Sequence, residues 1–460
     1  MSTETDFMQQ PHIFGRLTLR PNPLSAEKPN LNRLWIDSLL QIPWTNTTVQ
    51  GLEDLAKRYR LDVFVDTSQE GKTVLSLAGK IILVDVTILK EDPTKVNQVA
   101  LIFADASGEQ HTDEDLERCL RDAILHENTS AFERNIAFLA AGDHSSPSVQ
   151  QSAFLYLQQI YKAVFAVHED ECRRMKMNDA LLYGHGVPVL NKNDILGLQL
   201  TYWESLHETF EAHLILDDMP PRGVRHVEYA EGPLLNPQQP FLPNGDPQWV
   251  SSTAAEDTLT ATLVLLLRDH RSLWLPLQGI QALLDKLQLT DVFLPWPETL
   301  YGELLHLPSR FTSSCAPLDG NVDVTLEGHD IPARQVYRVP IAHPRQILPV
   351  LHILRQYLVL QLLLTNCAGP TATSECNTAL RISLTFTPMP CLKVRYQWLG
   401  SQSAEDVVTF LLFVQENGHL LIDSLVRGLQ SCTDNAKTAL HTLLTRTHHI
   451  PLSLQTWSSR

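Results

Sequence analysis

The stretch VFVDTSQEGKTVLSLAGKIILVDVTI, residues 63–88, holds Gly71-Lys72-Thr73 after an apolar run and a polar loop. Phosphate-binding loops carry Gly-x-x-x-x-Gly-Lys-[Ser/Thr], where small residues let backbone amides close around the anion and the lysine neutralises it. The leading glycine of that pattern falls at position 66, which is Asp66, a negative charge. A phosphate loop must also open a helix whose N-terminus faces the ligand. Val74, Leu75, Leu77, Ile81 and Ile82, with Gly79 between them, read instead as strand. A hairpin turn over Gln69-Glu70-Gly71-Lys72 is the simpler expectation. A nucleotide-binding enzyme working through the GKT at 71–73 is the alternative.

Other reactive-looking clusters each lack a necessary member. LHETFEAHL (206–214) places Glu211 where a zincin helix needs its second histidine, and His213 lies six residues from His207, too far for one ion. His448-His449 has no third ligand nearby in sequence. DGNVDVTLEGHD (319–330) begins like a calcium loop. It has Val324 where glycine makes the turn and Asp330 in place of the closing glutamate. An Asp-Gly turn leading into a strand accounts for it better. Asp143, His144 and Ser145 are adjacent, which forbids triad geometry, and no Gly-x-Ser-x-Gly elbow occurs. The expectation is a chain without catalytic residues, cofactor or metal. Three LxxLL boxes remain, at Leu263–Leu267, Leu360–Leu364 and Leu440–Leu444. Such a box can dock as a short helix in a receptor groove. Leu440, Leu443 and Leu444, on a short helix near the C-terminus, are the candidate interaction residues, with core packing the favoured account.

Composition bounds what these residues can serve. With 36 Lys plus Arg against 52 Asp plus Glu, the chain carries a formal charge of −16 and repels phosphate backbones on average, so direct nucleic-acid binding is not expected. The start, MSTETDFMQQ, has neither the basic nor the apolar region of a signal peptide. The most apolar stretch, residues 347–364, is broken by His352, Arg355 and Gln356, so no membrane span is expected. Seven cysteines, an odd number without a CxxC pair, suit a reducing compartment.

The 460 residues exceed the usual single-core size. Residues 1–30 read as a disordered arm, followed by a helix in LNRLWIDSLLQI and a second starting after Thr47, with Gln50 placed for a capping box. Period-two runs at LDVFVD, TVLSLAGKI, ILVDVTIL and VNQVALIFAD predict an antiparallel meander. Helices are expected at 113–126, 129–141 and 148–178, with a turn from Asp143 to Pro147. Residues 231–253 include EGPLLNPQQPFLPNGDPQWV, whose five prolines mark a linker. Beyond it, strands are expected at 258–268, 321–326, 334–341, 380–387, 392–398, 406–414 and 419–426. Helices are expected near 278–287, at 345–365 and at 433–447. The ordering implies an α+β fold: two lobes of mainly antiparallel sheet with packed helices, 31–230 and 254–460, joined by the Pro-rich linker.

Several blocks, in this order, resemble one family. GLEDLAKRYRLDVFVD followed by LSLAGKIILVDV, GHGVPVLNKNDILGLQLTYWE (184–204), QVYRVPIAHPRQILPVLHILRQYLVLQLLLTNC from 335 and the closing THHIPLSLQTW are similar to subunit 1 of the Mediator complex. In that family a His-Pro turn feeds a helix of the form L..LRQ. The likeness is to the fungal type, without the long tail in which animal members carry LxxLL boxes. The resemblance implies a non-catalytic scaffold in the middle module of Mediator, nuclear, relaying activator signals to RNA polymerase II. Its implied partners are neighbouring subunits such as 4, 7, 9 and 10, and transcriptional activators, with the polymerase reached indirectly.

Overall fold

A computed structural model describes residues 44–92, 95–104, 110–111, 113–146, 153–205, 208–217, 227–228, 233–250, 258–259, 262–267, 273–288, 298–299, 310–314, 321–327, 331–367, 378–386, 389–398 and 407–458. The arm over 1–30 and the helix expected in LNRLWIDSLLQI lie outside the described residues.

Helix α1 (Val49–Arg58) is capped by the Thr48 hydroxyl, which accepts from Gly51 N–H, one residue beyond the expected Thr47. It buries Leu52, Leu55 and Ala56. The meander follows as expected: β1 (Asp62–Asp66), β2 (Lys72–Ala78), β3 (Ile82–Leu89), β4 (Val96–Ala104) and β5 (Gln110–His111) pair antiparallel in sequence order. Strict alternation in β3 puts Ile82, Val84, Val86 and Ile88 inward, the signature of a sheet with one covered face.

Helices α2 (Glu114–Leu125), α3 (Thr129–Ser145), α4 (Ala153–Arg174) and α5 (Met177–Tyr183) come next. Asp113 caps α2, accepting from Asp115 and Leu116 N–H. Two expectations are corrected here. Residues 143–145 are not a turn but the last helical residues of α3, and the single helix expected over 148–178 breaks between Arg174 and Met177. Asp143 resembles a turn former by type, but its side chain is consumed by a distant strand junction, so it does not compete with its own helix.

The strands β6 (Val187–Leu190), β7 (Leu198–Glu204), β8 (Thr209–Asp217), β9 (Val227–Glu228), β10 (Thr258–Leu259), β11 (Thr262–Leu267) and β12 (Leu273–Pro276) lead to α6 (Leu277–Leu287). Then come β13 (Glu298–Thr299), β14 (Arg310–Ser314), β15 (Asn321–Glu327), β16 (Pro332–Val336), β17 (Arg338–Ile341) and the long helix α7 (Ile347–Thr365). The chain ends in β18 (Thr378–Thr385), β19 (Cys391–Trp398), β20 (Val407–Val414), β21 (Leu420–Arg427), β22 (Gln430–Ser431), α8 (Asp434–Thr447) and α9 (Ile450–Ser458). The run expected as one strand over 334–341 is divided at Tyr337 between β16 and β17, which belong to different sheets. Helix α9 is an addition to the expected elements.

The second five-stranded sheet has the order β17-β11-β8-β7-β6, so it draws strands from both sides of the proline-rich segment. Helices α2, α3 and α4 pack between it and the first sheet, against β4, β8 and β6 respectively. Residues 233–250 fold back on themselves, with Leu235 bridged to Trp249 and Phe241 to Pro247. Arg174 Nη2 donates to Gly245 O at 3.0 Å and fastens this segment to the end of α4. A seven-stranded sheet, β14-β15-β18-β19-β20-β21-β22, closes the C-terminal part, with only the β15–β18 pair parallel. The observed class is α+β.

Helix α7 touches β7, β12, β20 and α6 and is buried on nearly every face. By length and apolarity the Pro344–Thr365 segment could cross a bilayer, yet most of it is enclosed by the protein's own sheets. Pro349 falls in its first turn, where no intrahelical N–H bond is lost. Leu354 is fully buried. Leu354→Asp is therefore expected to cost on the order of several kcal/mol as an unpaired buried charge. Thermal melting followed by circular dichroism checks this; a wild-type melting curve would refute it.

Candidate functional site

The GKT triplet occupies the β1–β2 hairpin. Gly71 has φ +73°, and Lys72 starts β2 and is exposed. The loop faces the wrong charge for a phosphate. Lys90 Nζ donates to Thr67 O at 3.0 Å and Gln69 O at 2.9 Å, so carbonyls converge on an ammonium. Asp66 accepts from Ser68 N–H at 2.8 Å, and the hydrogen bonds from Ser68 hold its carboxyl below the usual range.

The second Gly-Lys, Gly79-Lys80, builds what the first lacks. At the β2–β3 junction, successive amides point at one anion. Asp143 Oδ2 accepts from Lys80 N–H at 2.8 Å, and Oδ1 accepts from Ile81 N–H at 2.7 Å and Ile82 N–H at 3.1 Å. Lys80 Nζ donates to His144 O at 2.9 Å. Gly79 permits the approach, because a β-carbon there would sit 2.5 Å from the Asp143 carboxylate. Consecutive amides that cradle a negative group form a nest. Here the occupant is the protein's own fully buried carboxylate, brought from α3.

A larger polar cluster joins α7 to the α4–β7 region. Arg355 is fully buried. Its Nε donates to Tyr202 O at 2.8 Å, and its Nη2 to Leu181 O at 2.9 Å and Gly184 O at 2.7 Å. Burial pushes the guanidinium down to about 10, and the nearby Glu171 charge opposes that fall. Glu171 Oε2 accepts from His185 N–H at 2.9 Å, with His185 Nδ1 2.8 Å from Oε1. Burial acts to raise the Glu171 carboxyl, but hydrogen bonding from His185 outweighs it and the net displacement is downward. A β-carbon at Gly184 would collide with this carboxylate. His352 Nε2 lies 3.2 Å from Tyr183 O, and Gln356 Nε2 donates to Val414 O at 2.7 Å.

The His343-Pro344 turn makes a reciprocal cap at the start of α7. His343 Nδ1 accepts from Arg345 N–H at 3.1 Å, while Gln346 Oε1 accepts from Ala342 N–H at 2.8 Å and His343 N–H at 3.3 Å. The other ring nitrogen, Nε2, lies 3.2 Å from Val250 O, so a neutral ring protonated there satisfies both contacts. The same turn thus ties α7 to the end of the proline-rich segment.

The remaining candidates are distributed rather than gathered. His213 is buried in β8 with Nε2 2.6 Å from Leu196 O, and Glu211 accepts from Lys192 at 2.9 Å. His207 lies outside the described residues, as do 319–320 and 328–330, and residues 321–327 are strand β15. Among the described residues no group of three or more His, Cys, Asp or Glu is placed to hold a metal ion. The LxxLL boxes fall in β11, inside α7 and on α8. Leu440 and Leu444 are fully buried in the core and Leu443 is half-buried. Presenting these three side chains to a groove would require α8 to leave its seat on β21. Asp143 and Glu171 were missed at the sequence level. Asp143 follows an apolar run without charge, Ile136 to Gly142, which was an available signal, whereas Glu171 sits in the acidic run Glu169-Asp170-Glu171 and nothing in the sequence singles it out.

The chain was compared with known proteins. A family model described as "Mediator of RNA polymerase II transcription subunit 1" matches residues 36–231 and 306–369. A Schizosaccharomyces pombe protein of the same description is 36% identical over 453 residues, covering 97% of this chain and 98% of the relative. The chain belongs to the Mediator subunit 1 family. The two matched stretches contain the two halves of the Arg355 cluster: Glu171, Leu181, Gly184, His185 and Tyr202 in one, His343, His352 and Arg355 in the other. The blocks that mark the family in sequence thus meet in space.

Two outcomes test these assignments. Asp143→Ala strands three buried or part-buried N–H groups and is expected to cost about 3 kcal/mol, whereas exposed Lys72→Ala is expected to stay within about 0.5 kcal/mol of wild type. Urea unfolding of both variants measures the contrast. His448 gives a pH signature. It caps α8 with φ 47°, and burial pushes its imidazole down to about 4. Between about pH 6.5 and 4 the unfolded chain binds a proton there that the folded chain does not. Its contribution is therefore intact above about pH 6.5 and is lost as pH falls to about 4, by about 3 kcal/mol. His352 and His449 are also lowered by burial and share the direction. Melting temperature against pH should decline over this window, and less steeply in His448→Asn, which tolerates the left-handed backbone.

Proposed function

We propose that the chain is a non-catalytic structural subunit of the Mediator coactivator complex, seated in its middle module in the nucleus, relaying activator signals to RNA polymerase II. The match over nearly the full length of the S. pombe relative carries this reading. The use of polar side chains supports it. The buried Arg355, Glu171, His185 and Asp143 are spent on holding chain segments together, which is the requirement of a rigid body that presents surfaces to other chains. Neighbouring subunits such as 4, 7, 9 and 10 are the partners proposed, with activators bound directly and the polymerase reached through the rest of the complex. The charge of −16 fits protein partners better than nucleic acid.

Affinity purification of the tagged chain from nuclear extract, followed by mass spectrometry, tests the reading. Recovery of other Mediator subunits in stoichiometric yield is the expected result, and recovery of none of them would sink it. Leu354→Asp should lose all of them together, as a folding failure, whereas Lys72→Ala should lose none.

A further inference from the structure

Strand β1 forms one edge of the first sheet, paired on one side to β2 and flanked by no strand on the other among the described residues. Its sequence is Asp62-Val63-Phe64-Val65-Asp66. Phe64 is 62% exposed and Val65 45%. Natural edges are blunted by short length, charged side chains (lysine above all), proline, bulges or a covering segment, because the free N–H and C=O groups otherwise template another strand. β1 has neither proline nor lysine, and its register with β2 runs from Asp62↔Ala78 to Asp66↔Val74 without a bulge. Alternation puts Asp62, Phe64 and Asp66 on one face, while Val63 and Val65 share the face of buried Leu77 and Leu75.

The charges decide what fits this edge. A second copy pairing antiparallel about Phe64 would set Asp62 against Asp66 twice, and a parallel in-register copy would set each aspartate beside itself. Like charges directly opposite destabilise a pair, and opposite charges stabilise it. We propose that the β1 edge accepts an extended segment of a partner protein with the alternation basic–apolar–apolar–apolar–basic, adding a sixth strand to the sheet. Basic side chains would face Asp62 and Asp66, the central apolar residue would lie beside Phe64, and its two neighbours would extend the apolar face begun by Val63 and Val65. Main-chain hydrogen bonds supply affinity in this mode and the alternate side chains supply specificity. The inference rests on the scaffold reading only in taking the partner to be another protein chain.

The test uses the full-length chain and a fluorescent peptide, Gly-Arg-Val-Ile-Val-Arg-Gly, with Gly-Glu-Val-Ile-Val-Glu-Gly as counterpart, read by anisotropy. The arginine peptide is expected to bind roughly tenfold or more tightly than the glutamate peptide and to slow hydrogen exchange over residues 62–66. In Asp62→Arg/Asp66→Arg the preference should reverse, a result that a misfolded variant cannot give. Phe64→Thr, which keeps a good strand former, should weaken both. No binding of the arginine peptide to the wild type, or an unchanged preference in the double variant, overturns the proposal. Exchange over 62–66 that is already slow in the chain alone and quickens when residues 1–30 are removed assigns the edge to the chain's own Arg16-Leu17-Thr18-Leu19-Arg20, and also overturns it. Wild-type chain that co-purifies with Mediator subunits but binds neither peptide sinks this inference alone. Peptide binding without co-purification sinks the scaffold reading instead.

Discussion

A guanidinium taken wholly out of water governs the middle of this molecule. Arg355 projects from a helix that is apolar on almost every side, so it has no route to solvent and depends on fixed groups, which reach its Nε and Nη2. It takes the carbonyls of Leu181, Gly184 and Tyr202, which belong to the end of α5, the turn after it and strand β7. Those carbonyls cannot shift without stranding a buried cation, at a cost of several kcal/mol. Glu171 lowers the electrostatic cost from nearby and is itself held by His185. The position of α7 against the second sheet follows, and with it the sheets that α7 touches.

The Asp143 nest applies the same logic with the sign reversed. Three consecutive amides at a β-hairpin junction concentrate positive potential, and the sequence supplies a carboxylate from a helix sixty-odd residues away. A phosphate loop exploits identical backbone chemistry for an external ligand. The difference lies in who fills the cradle. An internal anion turns a binding device into a latch between the first sheet and the helical layer.

Much of the architecture was legible because its signals are local. Strict alternation announced β3 and the meander, the helix expected over 113–126 is α2, and the Gly71 turn followed from the strand pattern on both sides of it. The readings that failed involve side chains whose partners are remote. Asp143-His144-Ser145 resembles a turn by residue type, and only the contact with Lys80 and Ile81 explains why it remains helical. The break at Tyr337, on either side of which β16 and β17 belong to different sheets, leaves no mark in a run of strand formers.

By itself the sequence determined the α+β class, the hairpin at GKT, the acidic character and, through ordered blocks, the family. These rest on period, turn chemistry and charge, which are properties of neighbouring residues. Only the tertiary structure decided that strands on either side of the proline-rich segment share one sheet, and that the block holding His343-Pro344 and Arg355 closes on the block holding Gly184-His185-Gly186. It also decided that the informative glycine-lysine pair binds an aspartate. Each of these is a pairing between groups far apart along the chain, and one-dimensional periodicity contains no term for the distance between them.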